Sequence, residues 1–327
     1  MHDDNARRVE GFRKDAFAEK YLNEANMALG AVENSILEEM EVTGSSQPLI
    51  FVVGVQRSGT TLLNQMIINH FDVAYPNNFV ARYWKSPIVG SILFQNLGLK
   101  EDSLSYRSDM GYTAGLTGPH EFGYFWRHWF PDDPYHAAFT GDSIDNKLFK
   151  KQMNTWLAYQ QKPLIFKNLH KVSFRIAKLA KLFPKSIFIH IQRDPFFVAQ
   201  STYESRLKLF GSEEEWFGVQ PPEFPELSKQ SVAEQIAGQI YYTNKFIENE
   251  MLELSEDRKL DLSYEELIGD IAQTAGRLIR FLHEQHGVGL SQGFDNVDFK
   301  STNRTRLPKE KEELLSSAIQ KYYDSGR

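Results

Sequence analysis

The stretch "GVQRSGTT" (54–61) lies between two apolar runs, "PLIFVV" and "LLNQMIINHF". Its residue types and spacing suit the holding of an anion. Glycine at 54 and 59 permits a tight strand-to-helix turn and lets backbone N–H groups face a ligand. A helix starting directly afterwards adds unpaired donors and a favourable dipole. Arg57 supplies a planar fork matched to phosphate or sulfate oxygens, and Thr60 and Thr61 add hydroxyl donors. The loop that binds ATP or GTP reads G-x-x-x-x-G-K-[ST]. Here Thr60 stands in place of the lysine that reaches the β- and γ-phosphates.

A second constellation is "FIHIQRDPFFVAQS" (188–201). Arg193 ends a predicted strand, and Asp194-Pro195 opens a helix, with proline tolerated in the first turn. Ser201 follows Arg193 by eight residues, so an arginine and a helix hydroxyl can converge on one phosphate. Three groups could take a proton: His170 in "FKNLHKV", and His120 and Glu121 in "GPHEFGYFWRHW". Each could equally be structural. "NRTRLP" (303–308) carries Arg304 and Arg306, either on a basic loop at the site or solvated.

These groups need a scaffold. "LIFVVG", "PLIFK", "SIFIHIQR" and "KLDLSY" read as four short buried strands. Helical periodicity marks residues 60–70, 173–183, 231–254 and 271–285, a helix beginning at Pro195, and another from about Lys309. Residues 1–42 also read as helical, followed by a short linker, "TGSSQP" (43–48). Strands alternating with helices predict an α/β fold around a parallel sheet. Residues 72–145 read as irregular and aromatic-rich, carrying Tyr106, Tyr112, Phe122, Tyr124, Phe125, Trp126, Trp129, Phe130, Tyr135 and Phe139. They could wall an acceptor pocket or form a second core. "GSEEEWFGVQPPEFPELSKQ" reads as an acidic, proline-rich surface loop.

Composition narrows the function. The chain has 327 residues, 41% hydrophobic and 24% charged, which supports a sizeable core. A net charge of −6 gives no electrostatic support for nucleic acid, although a local basic cleft stays possible. The absence of cysteine excludes disulfides, thiol nucleophiles and cysteine zinc sites. The polar N-terminus lacks the apolar core of a secretory signal, and no run is long enough to span a membrane. A cytoplasmic protein is expected.

At "RSGTT" and "RDP…S" the sequence resembles the sulfotransferase superfamily, whose loops read R-S-G-T-T or K-S-G-T-T. The resemblance implies a three-layer, P-loop NTPase-like α/β fold, with an N-terminal helical segment (1–47) and a transferase domain (48–327). Residues 72–145 would then be an acceptor-side insertion. It also implies 3′-phosphoadenosine 5′-phosphosulfate (PAPS) as donor, PAP as product, and no metal. By resemblance Arg57, Ser58, Gly59, Thr60 and Thr61 hold the 5′-phosphate region, and Arg193 with Ser201 the 3′-phosphate. Lys167 resembles the lysine of the family's second strand and would assist the leaving side, the alternative being a lysine that caps a strand end. His170 lies three residues after Lys167, where one branch has histidine two after. Other branches place a glutamate in the region where Asn77 and Asn78 stand. The expected acceptor is a hydroxyl, less readily an amine, on a small, lipid-like or carrier-tethered molecule. The competing readings are a P-loop kinase or ATPase and a non-catalytic nucleotide-binding protein.

Overall fold

The computed structural model describes residues 4–40, 42, 47–99, 104–131, 144–294 and 299–325. Tyr135, Phe139 and residues 43–46 of the expected linker lie outside them.

Four parallel strands, β1 (Leu49–Val53), β2 (Leu164–Lys167), β3 (Ile187–Gln192) and β4 (Lys259–Ser263), form one sheet in the order β2-β1-β3-β4. Every residue of β1 is buried, as a central strand covered on both faces requires. Alternate side chains feed two cores. Leu49, Phe51 and Val53 join Leu164, Phe166 and Phe188 on one face, while Ile50 and Val52 join Ile165, Ile187 and Ile189 on the other. The first face carries a stack of rings, with Phe51 lying 5.9 Å from Phe166 and 5.2 Å from Phe188.

The α-helices of six or more residues are α1 (Ala16–Glu39), α2 (Thr60–His70), α3 (Pro87–Asn96), α4 (Gly123–Trp129), α5 (Asn146–Gln160), α6 (Ile176–Leu182), α7 (Pro195–Phe210), α8 (Val232–Leu252), α9 (Tyr264–Gly269), α10 (Ile271–Leu278) and α11 (Lys309–Ser325). They cover both sheet faces, giving the three-layer architecture. The helix expected over 271–285 widens to a π-helix over Ile279–Gln285.

Two expectations need correction. The segment read as irregular contains α3 and α4. Of the aromatics named above, eight are described and five of these belong to the core: Phe122, Phe125, Trp126, Trp129 and Phe130 are buried with Phe149 and Trp156. Of the same aromatics, among the described residues, Tyr106, Tyr112 and Tyr124 line the cleft described below. The loop after α7 is acidic, but Val219 is fully buried and Trp216 and Phe217 line the cleft.

Helix α1 is fastened by buried polar contacts. The Glu33 carboxylate accepts from Ile88 N at 3.2 Å and Val89 N at 3.1 Å, and from Gln152 Nε2 at 3.0 Å. It thereby caps α3, whose own Ser86 makes no side-chain cap. Asn26 donates to Arg82 O at 2.7 Å and accepts from Lys85 N at 3.0 Å. Among the described residues, no helix is long and apolar enough to cross a membrane.

Candidate active site

The cleft, about 2220 Å³, lies beyond the carboxyl ends of β1, β2 and β3. Gln56, Arg57, Gly59, Thr60 and Thr61 line its floor. Arg57 adopts φ 66° and Gly59 φ 102°. The glycine is forced by more than its left-handed backbone, because a Cβ there would meet Tyr264 Cδ2 at 2.8 Å. Gly59 caps α2 without any side-chain contribution, and the first turn of α2 carries no acidic residue. The helix therefore presents its N–H groups and dipole to the cleft uncompensated. Ser58 is buried and turns its hydroxyl back to Val55 O at 2.8 Å, bracing the loop from inside.

The second constellation meets the first. Arg57 Nε donates to Ser201 Oγ at 2.8 Å, and Arg193 Nη1 donates to Arg57 O at 3.0 Å. Burial lowers the Arg193 guanidinium from its ordinary value, with Tyr264 and Glu265 opposing. Its plane lies 4.3 Å over the Tyr264 ring. Its fork also reaches Asn303 Oδ1, at 2.8 Å from Nε and 2.5 Å from Nη2, and Thr302 Oγ1 at 3.0 Å. The late loop therefore does arrive at the site, but not through its arginines. Arg304 is exposed, and its carbonyl accepts from Gln200 Nε2 at 2.9 Å. Arg306 forms a two-pronged pair with Glu204, at 2.8 and 2.7 Å. Neither arginine lines the cleft; Thr302 does.

At the end of β2, Lys167 is 5% exposed and donates to Thr61 Oγ1 at 2.7 Å. It also pairs with Glu121 Oε1 at 2.6 Å. Burial alone would raise the Glu121 carboxyl. The charge and hydrogen bond of Lys167, helped by His170, outweigh this and hold it below its usual value. A two-residue turn at Met110-Gly111, closed by reciprocal bonds of 2.9 and 2.8 Å between Asp109 and Tyr112, lies over this cluster. A Cβ on Gly111 would stand 3.5 Å from Glu121 Oε1 and 3.8 Å from Lys167 Nζ.

The two histidines differ. His170 is exposed on the turn after β2 and lines the cleft. His120 is pushed down to about 4 by burial, so its ring is neutral near pH 7. Its Nδ1 accepts from Phe122 N at 2.8 Å, which assigns the ring proton to Nε2. Asn77 and Asn78 serve the scaffold: Asn77 Oδ1 accepts from Val80 N at 2.8 Å, and Asn78 Nδ2 donates to Gly115 O at 2.7 Å.

Sequence reasoning did not pick out Tyr264, Thr302 and Asn303 as site residues. Tyr264 opens "YEEL", whose capping-box pattern reads as structural, and a ring under an arginine leaves no periodic trace. Thr302 and Asn303 adjoin two arginines that drew attention to themselves by charge. Among the described residues, no group of three or more His, Asp and Glu side chains could hold a metal.

The comparisons with known proteins agree with this geometry. The Sulfotransferase family model matches residues 48–286. The omega-hydroxy-beta-dihydromenaquinone-9 sulfotransferases of Mycobacterium bovis and Mycobacterium tuberculosis are 26% identical, over 90% of this chain and 79% of each relative. A solved sulfotransferase from Mycobacterium avium superposes with TM-score 0.55 at 14% identity, covering 92% of this chain and 80% of that one, and so shares the fold. With its family model spanning well over half its length, this chain belongs to the sulfotransferase family and is a sulfotransferase enzyme.

Proposed function

We propose that residues 48–327 form a PAPS-dependent transferase unit that moves a sulfuryl group to a hydroxyl on a lipid-like acceptor. The observation that carries this reading is the junction of Arg57, Arg193 and Ser201, two guanidinia and a hydroxyl brought together from distant parts of the chain. A doubly phosphorylated nucleotide fits that donor set, because each arginine can face a different phosphate. The uncapped start of α2 and the missing lysine at position 60 favour it over a nucleoside triphosphate with magnesium. Thr302 and Asn303 would join Arg193 around the ribose-borne phosphate, while Arg304 and Arg306 act through the loop's backbone.

When bound, the donor supplies a sulfuryl group whose S–O bond to the 5′-phosphate breaks as the acceptor oxygen bonds sulfur. The chain must take one proton and steady the leaving charge. Glu121, kept ionised by Lys167, accepts the acceptor's proton. As its charge is quenched its hold on Lys167 slackens, and the ammonium, bonded to Thr61, turns toward the leaving side. His120 is not the base in this reading, since its free nitrogen carries the proton. His170 is the rival, being exposed in the same cleft. The lipid-like acceptor is supported by apolar lining from Leu22, Phe79, Trp84 and Leu116, and by the hydroxylated dihydromenaquinone in the relatives' name.

Thermal shift with PAP against ATP–Mg²⁺ tests the nucleotide. Stabilisation by PAP alone is expected, and stabilisation by ATP–Mg²⁺ alone would reject the reading. Transfer of labelled sulfate from PAPS to hydroxylated lipids tests the reaction; with amine acceptors labelled and alcohols silent, the acceptor class would be wrong.

A further inference from the structure

One arm of the cleft is walled by residues between Arg7 and Asn23, a segment that precedes the family-matched region. Lys14 Nζ bonds the Tyr124 hydroxyl at 2.5 Å and Glu19 Oε2 at 3.4 Å, and Tyr124 also bonds Glu19. Arg127 stands 5.7 Å from the centre of the same ring. Arg8 is a charge neighbour of both Lys14 and Tyr124, and its buried Nε has no hydrogen-bond partner.

Cations outnumber carboxylates here. Among the described residues, Arg8, Lys14, Lys20 and Arg82 line this arm against Asp15 and Glu19. Arg7 also lines it but is engaged by Glu215 at 2.8 Å. The Asp15 carboxylate is spent on capping α1, accepting from Phe17 N and Ala18 N. Among the described residues, Glu19 is the carboxylate bonded to both Lys14 and Tyr124. A positive surplus of this kind stands out in a chain whose net charge is −6.

The arm is continuous with the reacting end. Lys14, Arg82, His120, Glu121 and Lys167 all line the same cleft. Ala18, Leu22, Trp84 and Leu116 supply apolar wall.

We propose that this arm is a subsite for an oxyanion, a carboxylate or phosphate, carried by the acceptor at the end opposite the hydroxyl that is sulfated. The proposal rests on the sulfuryl-transfer reading above. Arg8 offers an unused donor with fork geometry, and Lys14 a partly desolvated ammonium, both suited to oxygen anions. An anion held there, with the apolar body along the wall, fixes how far the hydroxyl reaches toward Glu121. A neutral remote end would leave the Arg8 donor unused.

The test is calorimetric titration of the full chain with omega-hydroxydodecanoate and with the matching dodecane diol, with and without PAP. The acid should bind about tenfold more tightly than the diol, as one charge-assisted contact implies. Lys14→Met and Arg8→Gln should each shrink that ratio toward unity while diol binding stays unchanged. Added salt should weaken the acid and not the diol. Equal affinities, no binding of either probe, or an acid preference that survives both substitutions would overturn the proposal. The titration without PAP separates the two readings, because failure of PAP to bind counts against the donor assignment and not against the subsite.

Discussion

Arg193 shows how much one side chain can be asked to organise. It holds the carbonyl of Arg57, lies over Tyr264 and draws in Thr302 and Asn303. Replacing it with alanine should weaken PAP binding by about 2–3 kcal/mol, measured by titration, because a charge-assisted contact is lost in a half-buried setting. Unchanged affinity would mean that the ribose-borne phosphate binds elsewhere. Glu121→Gln should lower kcat by about 10²–10⁴ with PAP affinity retained, the signature of a lost general base. If His170→Ala shows that pattern instead, the base is the histidine. At this scale the sequence was most legible where chemistry and chain position coincide. Arg57, Thr61, Lys167, Arg193 and Ser201 sit at strand ends, in the loop that follows β1 or in the first two helical turns, and contacts link them in the cleft. Tyr264, Thr302 and Asn303 are tied to the site by contacts between remote segments, which no local spacing encodes.

Strands and helices were legible wherever one period ran unbroken. β1, α2, β3 and α8 begin and end close to their predicted limits, and α7 begins at Pro195 as predicted. Helices α3 and α4 were hidden because aromatic and glycine-rich stretches blur the helical period, and their formation depends on packing against the sheet. Helix α1 illustrates tertiary support of another element. Burial raises the Glu33 carboxyl from 4.5 to about 7, with the N–H groups of Val89 and Ile88 and the Gln152 amide pulling the other way. A carboxyl raised on folding binds its proton more tightly in the folded state. Stability is therefore greatest below the unfolded value, falls as pH rises from 4.5 to about 7, and levels off above that. Glu33→Gln removes this titration. The variant should gain about 1–3 kcal/mol on wild type between pH 4.5 and pH 8, read from denaturant midpoints at several pH values. A difference independent of pH would show that Glu33 is not the titrating group.

Across the whole molecule, the groups proposed to bind phosphate come from the loop after β1, from the end of β3 and the helix after it, and from the late loop, so a nucleotide bound as proposed would order all three together. At a hundred times its dissociation constant PAP should add about 2.7 kcal/mol to stability. Hydrogen exchange should slow jointly at residues 54–62, 193–201 and 301–306, with α1 little affected. Protection confined to the first of these would break the link between the two anchors. The sheet order bears on biosynthesis as well. β1 lies between β2 and β3, and its partners lie more than about a hundred residues further along the chain. At ~5–20 residues per second, a nascent "LIFVV" waits on the order of ten seconds before its first neighbour leaves the ribosome. For that interval the most water-averse strand of the molecule has nothing to pair with, which makes it the segment that chaperones must shield.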